Sequence, residues 1–187
     1  MGLDMSLYLK KHQYVSRLFN DTDKPMQYPD DIVKFFPELG AAYEDNKGHI
    51  ITNTYYEVGY WRKANHIHGW IIKNVADDVD EGQEIILTEK DCEELLWNCK
   101  AVLRAHQNKT ENEATIIASS LLPRCPGFFF GSQEYDEWYY KEIEYTIKVL
   151  QNTLDVIEEN NMKFETTTDV DVRKTIPSYE IIYQASW

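Results

Sequence analysis

The sequence predicts an α+β fold: a small antiparallel or mixed sheet, built from N-terminal, central and C-terminal strands, packed against about three helices. Three observations predict it. Leu3, Met5, Leu7 and Leu9 alternate with Asp4, Ser6, Tyr8 and Lys10, the period of a half-buried strand. Residues 179–187 alternate in the same way at the other end of the chain. Between them, Cys92, Leu95, Leu96, Cys99, Val102, Leu103 and His106 keep the i, i+3, i+4, i+7 spacing of one helical face.

After the first strand, residues 11–48 hold no sustained period and are punctuated by Pro25, Pro29 and Pro37. They read as an excursion or lid, with a short helix over 31–36, on a single domain of 187 residues. Residues 49–58 are β-branched and aromatic, which predicts a strand. A helix follows from about 62 to 75 on the stripe Ala64, Ile67, Ile71, Val75, and residues 83–87 form a short strand. Thr88 is an N-cap, with Glu89 and Asp91 in the first turn where acids suit the helix dipole. Residues 107–126 connect, with a helical turn near Ile116 and Ile117, and stop at Pro123 and Pro126. A long helix spans 132–160 with Ser132 as N-cap and Tyr139, Ile143, Ile147, Leu150, Leu154 and Ile157 facing inward. Residues 164–172 complete the pattern as a strand or hairpin arm.

The charge balance is acidic, with 32 Asp plus Glu against 19 Lys plus Arg for a net −13. That field repels nucleic-acid backbones and anionic membranes, so direct nucleic-acid and membrane partners are not expected. Cys92, Cys99 and Cys125 are odd in number and lack a short paired spacing, so they read as reduced thiols in a cytoplasmic setting. No apolar run is long enough for a transmembrane helix.

Chemistry concentrates in two blocks, 57–70 and 127–140, which together hold three of the five Trp and two of the five His. Core packing rarely needs such a mixture, because Trp and Tyr carry polar tips and charges resist burial. His66 and His68 lie on different sides of a helix at this spacing, so they do not chelate a metal together, and no cofactor fingerprint is present. Arg62, Lys63 and Asn65 sit where a strand turns into a helix and could receive an anion or nucleotide, joined by His66, Tyr135 and Trp138. The plain alternative pairs Arg62 with Glu57, Glu134 or Asp136. His68 and Asp136 are the candidate acid–base pair; the plain alternative is a core-edge His68 bonded to a tyrosine or carboxylate. Phe128, Phe129 and Phe130 are expected to bury as a strand-like segment.

The opening Met1-Gly2-Leu3-Asp4-Met5, the run from Glu57 to Asn65 followed by Ile67 and His68, and the stretch from Phe128 to Tyr139 carry a resemblance. Over about half of its length the chain resembles a family of small proteins encoded by bacteriophages and prophages. The resemblance implies a shared fold and a phage setting, and it carries no activity. In that setting the leading expectation is an accessory protein that binds a host protein with a basic surface, such as a counter-defence inhibitor that mimics nucleic acid. Asp77, Asp78, Asp80 and Glu81 would make the contact, within a stretch from 77 to 94 that holds nine acids and only Lys90. A nucleotide-binding module or an enzyme using His68 and Asp136 remains open beside it.

Overall fold

The computed structural model describes residues 2–12, 53–173 and 176–187. Its elements in order are β1 (Asp4–His12), β2 (Asn53–Arg62), α1 (Asn65–Asn74), β3 (Ile85–Leu87), α2 (Glu89–Asn108), α3 (Glu111–Leu121), α4 (Glu137–Thr166), the single turn α5 (Val170–Arg173) and β4 (Ser178–Ser186). The four strands form one antiparallel sheet in the order β2-β1-β4-β3, and the fold is α+β. The strands nearest the two ends of the sequence are therefore the two central ones. β3 pairs with β4 in the register Ile85↔Tyr183, Ile86↔Ile182, Leu87↔Ile181.

By contacts the chain forms two compact units: Met1–Tyr8 with Glu57–Gln151 and Ile181–Trp187, and Leu9–Tyr56 with Asn152–Glu180. The first has an apolar interior. Leu3, just before β1, and Met5 and Leu7 within it are buried while Asp4, Ser6 and Tyr8 keep solvent contact, as the alternation predicts. β2 approaches α4 so closely that a Cβ on Gly59 would lie 2.7 Å from Val149 Cγ1. Two residues on, the Trp61 indole donates to Thr146 Oγ1 at 2.9 Å, which satisfies the one polar atom of a buried ring. In the second unit, taken by itself, Leu9, Tyr56, Val156 and Ile157 are buried among the described residues. Lys10 and His12 both reach Glu180 at 2.9 Å, the Asn160 side chain donates to the Pro177 carbonyl, and Arg173 lies over the Phe164 ring.

α2 begins at Thr88 with a full capping box, Asp91 returning the bond, as the sequence indicates. Several expectations are corrected. Residues 111–121 form a helix with its own capping box at Thr110 and Glu113, more than the single turn expected. The long helix starts at Glu137, not at 132: Asp136 Oδ1 accepts from Tyr139 N at 3.0 Å and caps it, while Ser132 Oγ accepts from Glu134 N in a local turn. Residues 164–166 continue that helix and 170–173 form a helical turn where a strand or hairpin arm was expected. Of the excursion assigned to 11–48, Lys11 and His12 belong to β1 and the rest lies outside the described residues, as do 49–52 of the second strand and the helix expected over 31–36.

Candidate functional site

The two blocks meet in the first unit, and the residue that joins them is Asn65. Lys63 adopts a left-handed backbone (φ 65°), which turns the chain out of β2, and α1 starts two residues later. Asn65, fully buried in its first turn, donates through Nδ2 to the carbonyls of Phe130 (2.9 Å) and Ser132 (3.0 Å). Its Oδ1 accepts from Cys125 N at 3.4 Å and from Arg124 Nη1 at 3.5 Å. A short amide thus replaces the partners that the irregular 124–132 backbone would otherwise lack.

Arg124 is the second hub, its side chain only 5% exposed. Its Nε and Nη2 donate to the Glu134 carbonyl at 3.0 and 2.8 Å, and its guanidinium lies 4.7 Å from the Tyr139 ring centre. Nη1 approaches His66 Nδ1 at 3.3 Å and Glu142 Oε2 at 3.6 Å, while Nη2 lies 3.8 Å from Asp136 Oδ1. An arginine can only donate, so His66 accepts at Nδ1 and carries its proton on Nε2. Burial, reinforced by the Arg124 charge, holds the His66 imidazolium well below the usual histidine range, and the ring is neutral. Desolvation acts in the same direction on charge at Glu142: its carboxyl is pushed up to about 7, against the opposing pull of Arg124. His66 Nε2 and Glu142 Oε2 are both buried without a hydrogen-bond partner.

A second chain of bonds runs through His68, which is 1% exposed. Its Nε2 lies 3.0 Å from Asp80 Oδ2 and its Nδ1 2.8 Å from the Tyr183 hydroxyl. The carboxylate accepts from Nε2–H, so Nδ1 accepts from the tyrosine. Phe130 and Trp187 pack against the imidazole at 5.3 and 5.7 Å between centroids. The Tyr183 phenol is held well above its ordinary range by burial and by Asp80, so this chain orients groups and does not activate the phenol as a base.

These contacts divide the residues singled out from the sequence. Asn65, His66 and Tyr135, whose hydroxyl accepts from Arg124 N at 3.3 Å, belong to the closed cluster. Arg62 and Lys63 are exposed, as is Trp138, which lies under Lys141. The cation that reaches Glu134 and Asp136 is Arg124, not Arg62, whose Nε is 3.8 Å from Asp4 Oδ1. His68 and Asp136 have separate partners and do not touch. Of the three phenylalanines only Phe130 is buried; Phe128 is 82% exposed and Phe129 has a left-handed backbone. Among the four acids assigned to partner binding, Asp80 is tied to His68, whereas Asp77, Asp78 and Glu81 are exposed and form no ion pair among the described residues.

Arg124 and Glu142 escaped sequence reasoning. A signal existed for each: Arg124 is a lone cation between Pro123 and Pro126, and Glu142 follows Tyr139 by three and precedes Thr146 by four on the buried face of α4. Among the described residues no group of three or more His, Cys, Asp or Glu is placed to hold a metal ion, and no helix is long and apolar enough to cross a membrane. Cys92, Cys99 and Cys125 are free, with burial raising all three thiols. No family model, curated protein or solved structure matches the chain, so the site stands on its own chemistry.

Proposed function

We propose that this protein is a phage-encoded accessory factor that acts in the host cytoplasm by docking on a basic surface of a host protein, in the manner of a counter-defence inhibitor. The observation that supports this reading is the turn from Asp77 to Gln83. Asp77 and Asp78 both hold left-handed backbones (φ 51° and 62°), and Asp80 is anchored by His68. The Gln83 side chain donates to the Val79 carbonyl and accepts from Glu81 N, both at 2.8 Å. The acids free for a partner are thus mounted on a tied frame, and less side-chain and loop ordering is needed on binding. The two blocks, by contrast, close on each other through bonds already made.

The test neutralises the free acids and spares Asp80. Asp77→Asn, Asp78→Asn and Glu81→Gln together keep side chains that tolerate their backbones, since Asn accepts the left-handed region. The triple variant is expected to melt as the wild type does and to lose a host partner that the wild type captures at low salt. Wild-type capture should itself weaken as salt rises through about 0.1 M, where exposed charges are screened over about 10 Å. Identical partners before and after neutralisation, or none in either case, would reject the docking reading.

A second reading, a small-ligand module or an enzyme, draws on one observation: a carboxyl poised near neutrality beside a neutral imidazole and a buried arginine. That is acid–base machinery in form. It moves the alternative from His68 and Asp136 to His66 and Glu142. Native mass spectrometry decides it: a co-purified small molecule, present on the wild type and absent from Glu142→Gln, is the expected sign, and its absence from both removes the reading.

A further inference from the structure

The sheet face of the first unit opposite its apolar interior bears a groove of about 410 Å³. Its floor is the outward row of β1, Asp4, Ser6 and Tyr8, beside Gln184 and Ser186 of β4. Glu81 and Trp187 line it as well, and among the described residues that line it Asp4 and Glu81 are the charged ones. One wall is fixed by backbone geometry. Gly82 has φ +73°, and a Cβ there would meet the Ala185 carbonyl at 3.4 Å, so the loop lies flat on β4. Gln184 Nε2 approaches the Gly82 carbonyl at 3.5 Å on the same wall. The volume falls within the range of preformed small-guest sites, about 300–1,000 Å³.

The lining selects the guest. Two carboxylates, with no cation among the described lining residues, disfavour an anion, and the hydroxyls and amide disfavour an apolar side chain. Tyr8 and the partly exposed Trp187 offer aromatic surface, and the hydroxyls of Ser6 and Ser186 add acceptors. A planar cation with several N–H donors uses all of these; an ammonium uses only the charge. Asp4 already accepts from the Tyr60 hydroxyl through Oδ1, which orients its carboxylate. Arg62 stands 3.8 Å from the same oxygen, too far for a hydrogen bond and 62% exposed, so it can swing aside.

From this we infer that the groove receives an arginine side chain of the basic partner, its guanidinium held by Asp4 and Glu81 against Tyr8 and Trp187. The inference rests on the docking reading for its partner and adds the residue type that the partner presents. It is tested on the full chain with three blocked tripeptides that carry arginine, lysine or citrulline at the centre, followed by amide and indole NMR shifts. Saturable shifts at Ser6, Gln184 and the Trp187 indole are expected with arginine. Citrulline should bind about tenfold more weakly, the loss of one charge-assisted contact, and lysine should fall between them. Glu81→Gln, at an exposed position, should weaken the arginine peptide about fivefold with unchanged melting, and Asp77→Asn with Asp78→Asn should not.

Equal binding of citrulline, or shifts spread over the acidic surface, would overturn the assignment. Were the arginine peptide to ignore the groove while partner capture still depended on Asp77 and Asp78, this inference alone would fail. Loss of both would remove the docking reading with it.

Discussion

Replacing His68 with alanine is expected to lower the stability of the fold by about 3–5 kcal/mol, the sum of a core cavity and a stranded buried hydroxyl. Tyr183 is 1% exposed and its hydroxyl donates to His68 Nδ1, so among the described residues that hydroxyl would be left unpaired in the core. Asp80 would lose its partner at the same stroke, and the 77–83 turn its anchor. Tyr183→Phe alone should cost about 1 kcal/mol, because it removes the donor and leaves the imidazole in place. The double variant should then lose less than the sum of the two, since the pair shares one bond. Urea denaturation of the four proteins measures this. A loss below about 1 kcal/mol for His68→Ala would mean that the histidine holds nothing together.

Glu142→Gln is expected to stabilise the protein at pH 8 by about 2 kcal/mol, a figure reduced from the full effect of the shift because solvent reaches part of the side chain. The sign follows from linkage. The carboxyl titrates at about 7 in the folded protein against an ordinary value of 4.5, so between those values the folded state binds the extra proton. Its contribution is complete below pH 4.5 and is lost as pH rises through 7. His66 works in the opposite sense: its folded value lies well below 6.5, so its stability is present above 6.5 and is lost as pH falls. In the wild type the two slopes oppose each other over the mildly acidic range. Glutamine removes one of them, so the variant should destabilise steadily as the pH drops below 6.5. The check is a series of denaturation curves from pH 5 to pH 8; identical pH profiles for wild type and variant would show that Glu142 is ionised in the fold as in water.

The groups behind these two predictions were unequally legible. His68 bonded to a tyrosine or a carboxylate was one of two readings open to the sequence, and the structure supplies both partners at once, Tyr183 and Asp80. Neither could be named beforehand, because one lies 115 residues away on β4. The Arg124–His66–Glu142 cluster was not legible as a site. Arg62, inside the conspicuous block, drew the pairing that Arg124, outside it, makes. Gly131-Ser132 before acids marks Ser132 as a cap for α4, but Asn65 binds the Ser132 carbonyl and the helix begins beyond Asp136. Local signals identify which residues are able to cap; competition from a distant amide decides which one does.

By itself the sequence determined the α+β class, both terminal strands (though Ile181, Ile182 and Tyr183 are buried in succession, against the alternation), the capped start of α2 and the burial of Cys92 and Cys99. These depend on periodicity and on interactions within a few residues, which are written locally. The tertiary structure alone decided that the two terminal strands lie side by side at the centre of the sheet, that Asn65 and Arg124 join the two blocks, and that Asp80 is withdrawn from the free acids around it. Each of these is a pairing beyond the reach of a local signal, from 12 residues between His68 and Asp80 to 65 between Asn65 and Phe130 and more. The residue types allow many such pairings, and the one that forms is set by which buried donors and acceptors must be satisfied once the core has closed.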